Sequence, residues 1–203
     1  MRELEYLNST LIAYLHSFLI ENKSKIKTCH VARLIAYISA LEPNKPILIA
    51  SLANELHSKL EKEFDDFDID LYISLWMSLA NIKDKLNPKW IEETIEVLAN
   101  CGITKSNFNI LKDFNESDIE DLCVSTVICK CKNEKFIQTL IQAITIVSVR
   151  LNGKSLYNIC KAYYFLRKHS KDNNAYEALK RQFMIVKKEL SEAEINEMNK
   201  FLK

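Results

Sequence analysis

Between Lys130 and Lys188 the chain carries 13 lysines and arginines against three acids, a net of +10 in a molecule whose total is only +1. The remainder is therefore at −9, with four acids inside Asp65–Asp70 alone. A near-neutral chain with one strongly basic stretch presents a localised surface for anions. Within it, Lys154, Lys161 and Lys168 recur every seven residues, a spacing that places them on one helix face. Lys180, Arg181, Lys187 and Lys188 repeat the pattern on the next predicted helix, and Arg150 and Arg167 complete the set. Tyr157, Tyr163, Tyr164 and Phe165 are interleaved with these cations. Cations that hold phosphates beside rings that stack bases suit a single strand of RNA, whereas aromatics in the core would leave only a solvated lysine surface.

Other chemistry is thin. Cys123, Cys129 and Cys131 lie near one another, with Cys29-His30 far upstream, but no C-x-x-C pair exists and convergent ligands for zinc are not expected. The six cysteines show no disulfide framework, which fits a reducing compartment. His16, His57 and His169 are isolated, and no Ser-His-Asp or Cys-His neighbourhood is legible, so neither an enzyme nor a small-molecule substrate is expected. No cofactor is expected either. Glu92, Glu93 and Glu96 read as a solvated helix face, and Trp76 and Trp90 as packing residues.

The elements that must position these side chains are all helical. Two glycines and three prolines in 203 residues leave little material for strands and tight turns. No apolar run reaches the length of a membrane span. The opening MRELEYLNST resembles neither a secretory signal nor an Arg-rich transit peptide. Apolar stripes mark helices at 3–22 (Leu4, Leu7, Leu11, Leu15, Leu19), 29–42 behind a Thr28 cap, and from Pro46 onward (Leu48, Leu52, Leu56, Leu60). Asp70 is expected to cap a helix carrying Leu71, Leu75, Leu79 and Ile82. Pro88 opens the next, which is expected to stop at Cys101-Gly102. A short extra helix is expected at 104–113, then helices at 119–131 behind Asp118 and at 133–149. Asn152-Gly153 reads as a turn, Ser155 as the cap of 156–169, followed by helices at 174–188 and from Ser191.

Every second helix opens on an apolar residue in a similar register: Val31, Leu71, Ile119, Leu156 and Ile195 follow one another by 40, 48, 37 and 39 residues. Such spacing predicts an α-solenoid of about five antiparallel helix pairs in a single domain, 1–203. Its acidic half covers about 1–129 and its basic half about 130–188. Leu71, Ile119, Leu156 and Ile195 are expected to be equivalent and buried.

The period of 37–40, the run DLYISLWMSLA at Asp70–Ala80 and the scarcity of Gly and Pro together resemble heptatricopeptide repeats, which are similar to octotricopeptide and FAST-kinase-like repeats. The resemblance covers about Leu11 to Leu202. Proteins of this class are organellar RNA-binding proteins, and in apicomplexan parasites they also serve as mitochondrial ribosome components. The resemblance thus implies a non-catalytic protein of the mitochondrial matrix that contacts ribosomal RNA among neighbouring proteins of a ribonucleoprotein. No RAP-type nuclease-like segment is legible after the repeats. The rival expectation is a protein-interaction scaffold that docks partners on its apolar and acidic N-terminal half without touching RNA.

Overall fold

A computed structural model describes residues 25–41, 46–105, 107–169 and 173–202, together with 14, 17, 18 and 20–22. Residues 14, 17, 18 and 20–22 are helical, while the rest of the helix expected at 3–22, including its leucine stripe, lies outside the described residues. Among those residues the regular structure is helical and there is no strand. In chain order the helices are α1 (Thr28–Leu41), α2 (Pro46–Leu60), α3 (Ile69–Ile82), α4 (Pro88–Thr104), α5 (Glu116–Ile128), α6 (Glu134–Val147), α7 (Gly153–Leu166), α8 (Asn174–Val186) and α9 (Glu192–Phe201). Short 3-10 turns extend several of them, at Lys83–Lys85, Ser148–Arg150, Arg167–His169 and Lys187–Glu189.

Alternate helices pack side by side. One series runs α1, α3, α5, α7, α9 and the other α2, α4, α6, α8, with consecutive helices bridging the two layers. Each helix of the first series opens on a backbone bond from the fourth residue after its cap, as α4, α6 and α8 also do. The N–H groups of Val31, Tyr72, Ile119, Leu156 and Ile195 donate to the carbonyls of Lys27, Asp68, Asn115, Asn152 and Ser191, opening each helix in the same way. Side chains make the starts explicit. Asp68 accepts from Leu71 N–H at 2.7 Å, and Asn152 accepts from Ser155 N–H at 3.0 Å. Asn115 with Asp118, and Ser191 with Glu194, form complete capping boxes.

The expected caps therefore move back by two or three residues. Asp70, Asp118 and Ser155 are first-turn residues, not caps, because the residues that supply the first accepting side chain are Asp68, Asn115 and Asn152. The register shifts with them: Tyr72, not Leu71, is the counterpart of Val31, Ile119, Leu156 and Ile195. All of these are buried except Ile195, which is half-buried on the terminal helix. Two more expectations fail for identifiable reasons. Gly102 does not stop α4; it lies inside the helix, where the absence of a Cβ admits Tyr72. Gly153 is not in a turn but opens α7, close against Glu189. The extra helix expected at 104–113 is absent; the described residues there form turns, with Asn109 N–H donating to Asp113 at 2.6 Å.

The core runs between the layers. The stripes Leu48–Leu60, Leu71–Ile82, Ile91–Leu98 and Phe136–Val147 are buried as expected. Its aromatic centre joins neighbouring units: Trp76 stacks on Phe136 with centroids 5.1 Å apart, and Tyr72 packs against Phe64, Phe108 and Phe114. Polar contacts also link helices about one unit apart. Thr28 donates from N–H and hydroxyl to Glu63, Asn158 to Glu120, and Gly153 N–H to Glu189.

Candidate nucleic-acid interface

Helix α7 forms the centre of the basic stretch. Leu156, Ile159, Cys160, Tyr163 and Leu166 turn inward. By helical geometry the opposite side is left to Lys154, Asn158, Lys161 and Phe165, of which Lys154, Lys161 and Phe165 are exposed. The helix ends at Leu166, so exposed Lys168 sits in the following 3-10 turn and is not a strict continuation of the seven-residue row. From Lys154 to Lys168 this edge spans ~20 Å at helical rise. Among the described residues, none of the three lysines forms an ion pair.

The structure divides the remaining cations by what they already hold. Arg150 is paired with Glu116, its Nε 2.5 Å from the carboxylate. Arg167 donates to the carbonyl of Phe201 at 3.2 Å and lies over the Tyr164 ring at 4.6 Å, so it braces α7 against α9. Lys180 lies over Tyr176 and Lys187 over Phe183, each on α8 or its 3-10 extension. Arg181 and Lys188 are exposed.

The two runs lie on helices of different layers. Lys154 and Lys161 sit on α7, whereas Lys180 and Arg181 sit on α8 in the other layer. Hydrogen bonds link the two runs at one rim. There, the Gly153–Glu189 bond and the donation from Gln182 Nε2 to the Leu151 carbonyl bring the Arg150–Lys154 connection beside Lys187 and Lys188.

The interleaved aromatics sort in the same way. Tyr163 is buried. Tyr157 donates to Glu197, which pushes its phenol pKa up, and its ring packs near Phe201. Tyr164 is held by Arg167 and Phe201. Phe165 is different: it is 46% exposed and set edge-on to Tyr164, between Lys161 and Lys168. Sequence spacing alone did not separate it from its tyrosine neighbours; the burial pattern of α7 does.

The acidic half has its own cleft, of about 660 Å³, lined by Phe67, Asp68, Asp70, Phe108, Asp113 and Asp118 among others. Three of its four carboxylates serve the backbone. Asp68 caps α3 and pairs with Arg33, Asp113 holds Asn109 N–H and Asp118 holds Asn115 N–H. Its lining residues come from the starts of α3 and α5 and the connections before them, not from α7, and its carboxylates disfavour an anion. All six cysteines are free thiols and buried. Burial pushes Cys129 and Cys131 up to about 12 and raises Cys123, Cys160 and Cys101 as well, so these thiols stay protonated at neutral pH. Cys129 and Cys131 follow α5 in the chain. Among the described residues no three His, Cys, Asp or Glu side chains converge as metal ligands, and no helix is long and apolar enough to cross a membrane.

Compared with family models, with curated proteins and with solved structures, the chain matches none.

Proposed function

We propose that the chain is a non-catalytic α-solenoid of helix pairs that binds single-stranded RNA on the solvent face of α7. The observation that carries this reading is the row of exposed lysines Lys154, Lys161 and Lys168, which form no ion pair among the described residues, with Phe165 between the second and third. Such a row offers phosphate contacts along ~20 Å and one ring for a base. Lys187 and Lys188 extend it along the rim. Arg150 and Arg167 are occupied by protein partners and play the lesser part. In its sharpest form the reading is of ribosomal RNA within a mitochondrial ribosome, an assignment that rests on the repeat resemblance and on charge. The side-by-side packing of α1, α3, α5, α7 and α9 in one layer and α2, α4, α6 and α8 in the other supports the repeat architecture.

The test is RNA binding against salt. A single-stranded RNA oligonucleotide should bind with a log–log salt slope that falls by about 2 when Lys154, Lys161 and Lys168 are reversed to glutamate, at ~0.7 per phosphate contact. The loss should be similar across RNA sequences, since backbone contacts carry no sequence code. Reversing Lys25, Lys62 and Lys112 in the acidic half should leave affinity within about twofold. Unchanged binding after the first triple reversal would replace this reading with a protein scaffold. The acidic cleft around Asp70 and Asp113 is the feature that favours that second reading.

A further inference from the structure

The second layer ends in an exposed apolar patch. Ile146 lies in the last turn of α6, Val149 in the 3-10 turn after it, and Met184 and Ile185 in the last turn of α8; they are 49%, 73%, 69% and 73% exposed. The two helices pack on each other, and α8 also touches the 148–150 turn. Their buried positions correspond at a spacing of 39, as in Leu140 with Leu179, Ile144 with Phe183 and Val147 with Val186. The same register makes Ile146 and Ile185 equivalent positions on the two neighbouring helices. Single exposed apolar side chains are ordinary, but four on two adjoining helix ends form a patch of the kind that marks an interaction site.

The surroundings of the patch select its partner. Arg181 and Lys188 are exposed along α8, while exposed Gln138 and Gln142 line the upstream solvent face of α6. Of the acids nearby, Glu177 lies two turns upstream of Met184, and Glu189 in the 3-10 turn after α8 accepts from the Gly153 N–H. The face is therefore apolar at one end, cationic along one side and amide along the other.

We propose that this face docks an acidic amphipathic helix from another protein. Leucine-type side chains at i, i+3, i+4 and i+7 would cover the four apolar residues, and carboxylates beyond them would meet Arg181 and Lys188. A bilayer fits less well, because Gln138 and Gln142 would lose their hydrogen bonds against hydrocarbon. A nucleic acid fits less well, because aliphatic side chains offer bases no ring to stack on.

The probe is a fluorescent 16-residue helical peptide with leucine on one face and glutamate on the others. Its control has the same composition, with leucines scattered around the helix. Anisotropy titrations of the full chain should give saturable binding of the patterned peptide and at least about tenfold weaker binding of the control. Combining Ile146→Asp with Ile185→Asp should weaken the patterned peptide about 30-fold or more, as for loss of central anchors. These residues are exposed, so circular dichroism and thermal unfolding should stay those of the parent. Arg181→Glu with Lys188→Glu should weaken the peptide mainly at low salt. No binding, equal binding of both peptides, or indifference to the Ile146/Ile185 pair each overturns the proposal. Binding to phosphatidylserine vesicles in place of the peptide overturns it in favour of a membrane. Loss of RNA binding in the Ile146/Ile185 variant, with the peptide unaffected, assigns the face to nucleic acid.

Discussion

Gly102→Ala should destabilise the protein, against the sign that helix propensity sets. Gly102 sits inside α4, and no glycine has positive φ, so alanine is conformationally welcome there. Intrinsic propensity alone gives a gain of ~1 kcal/mol. The added methyl, however, would lie 2.1 Å from Tyr72 Oη and 2.6 Å from its Cζ. Tyr72 has no room to retreat. It is fully buried among Phe64, Trp76, Phe108 and Phe114, and its hydroxyl donates to the Leu98 carbonyl at 3.4 Å. Overpacking of this kind costs about 1–3 kcal/mol or more, and a displaced hydroxyl forfeits another ~1 kcal/mol. The net loss is then about 1–3 kcal/mol, or roughly 3–10 °C in Tm for a chain of this size. Urea unfolding followed by circular dichroism reads it directly. In a Tyr72→Leu background the obstacle is gone, so the same Gly102→Ala change should become neutral or favourable, a coupling of order 1–3 kcal/mol. A neutral or stabilising effect in the parent, or the same cost in both backgrounds, would refute the packing argument.

Leu75→Ala, at a fully buried position of α3, should cost about 2–5 kcal/mol in the same assay; a cost near zero would place that stripe at the surface. Lys130 holds φ 55° just after α5, where the Cys131 N–H reaches the Thr126 carbonyl, so Lys130→Gly should stabilise by up to ~1 kcal/mol in urea unfolding. Glu63 has its pKa lowered chiefly by the hydroxyl of Thr28, so its stabilising contribution is present above the normal carboxylate pKa and disappears as pH falls through the depressed folded value. Carboxyl NMR should show Glu63 titrating below a typical glutamate, and Thr28→Val should move it back up; an unshifted parent value would contradict the Thr28–Glu63 bond.

Helical class and core faces were legible in the sequence because both depend on local spacing. Leu48, Leu52, Leu56 and Leu60 must share a side of any helix they form, and scarcity of glycine and proline leaves few other choices. The near-regular openings were legible for the same reason. Cap identity was less so, since Asp68 and Asp70, or Asn115 and Asp118, are equally good acceptors on paper, and only the path of the incoming chain decides which one reaches the free N–H groups. The two glycines illustrate the same limit. Both looked like helix stops or turns, yet each is required by a neighbour distant in sequence, Tyr72 or Glu189, whose approach no local pattern encodes.

The charge excess that marks Lys130–Lys188 is a property of the sequence, as is the seven-residue lysine row. Only the tertiary structure divides it. Helices α7 and α8 are consecutive in the chain but belong to opposite layers, because an antiparallel pair must bury its facing sides and turn its remaining faces apart. That packing puts Lys161 and Arg181 on helices of different layers, spends Arg150 and Arg167 on protein contacts, withdraws Tyr163 into the core, and leaves Phe165 and Ile185 at the surface. Exposure depends on which helix arrives next to which, and that is decided by contacts some 35–40 residues away in the chain, beyond the reach of any local periodicity.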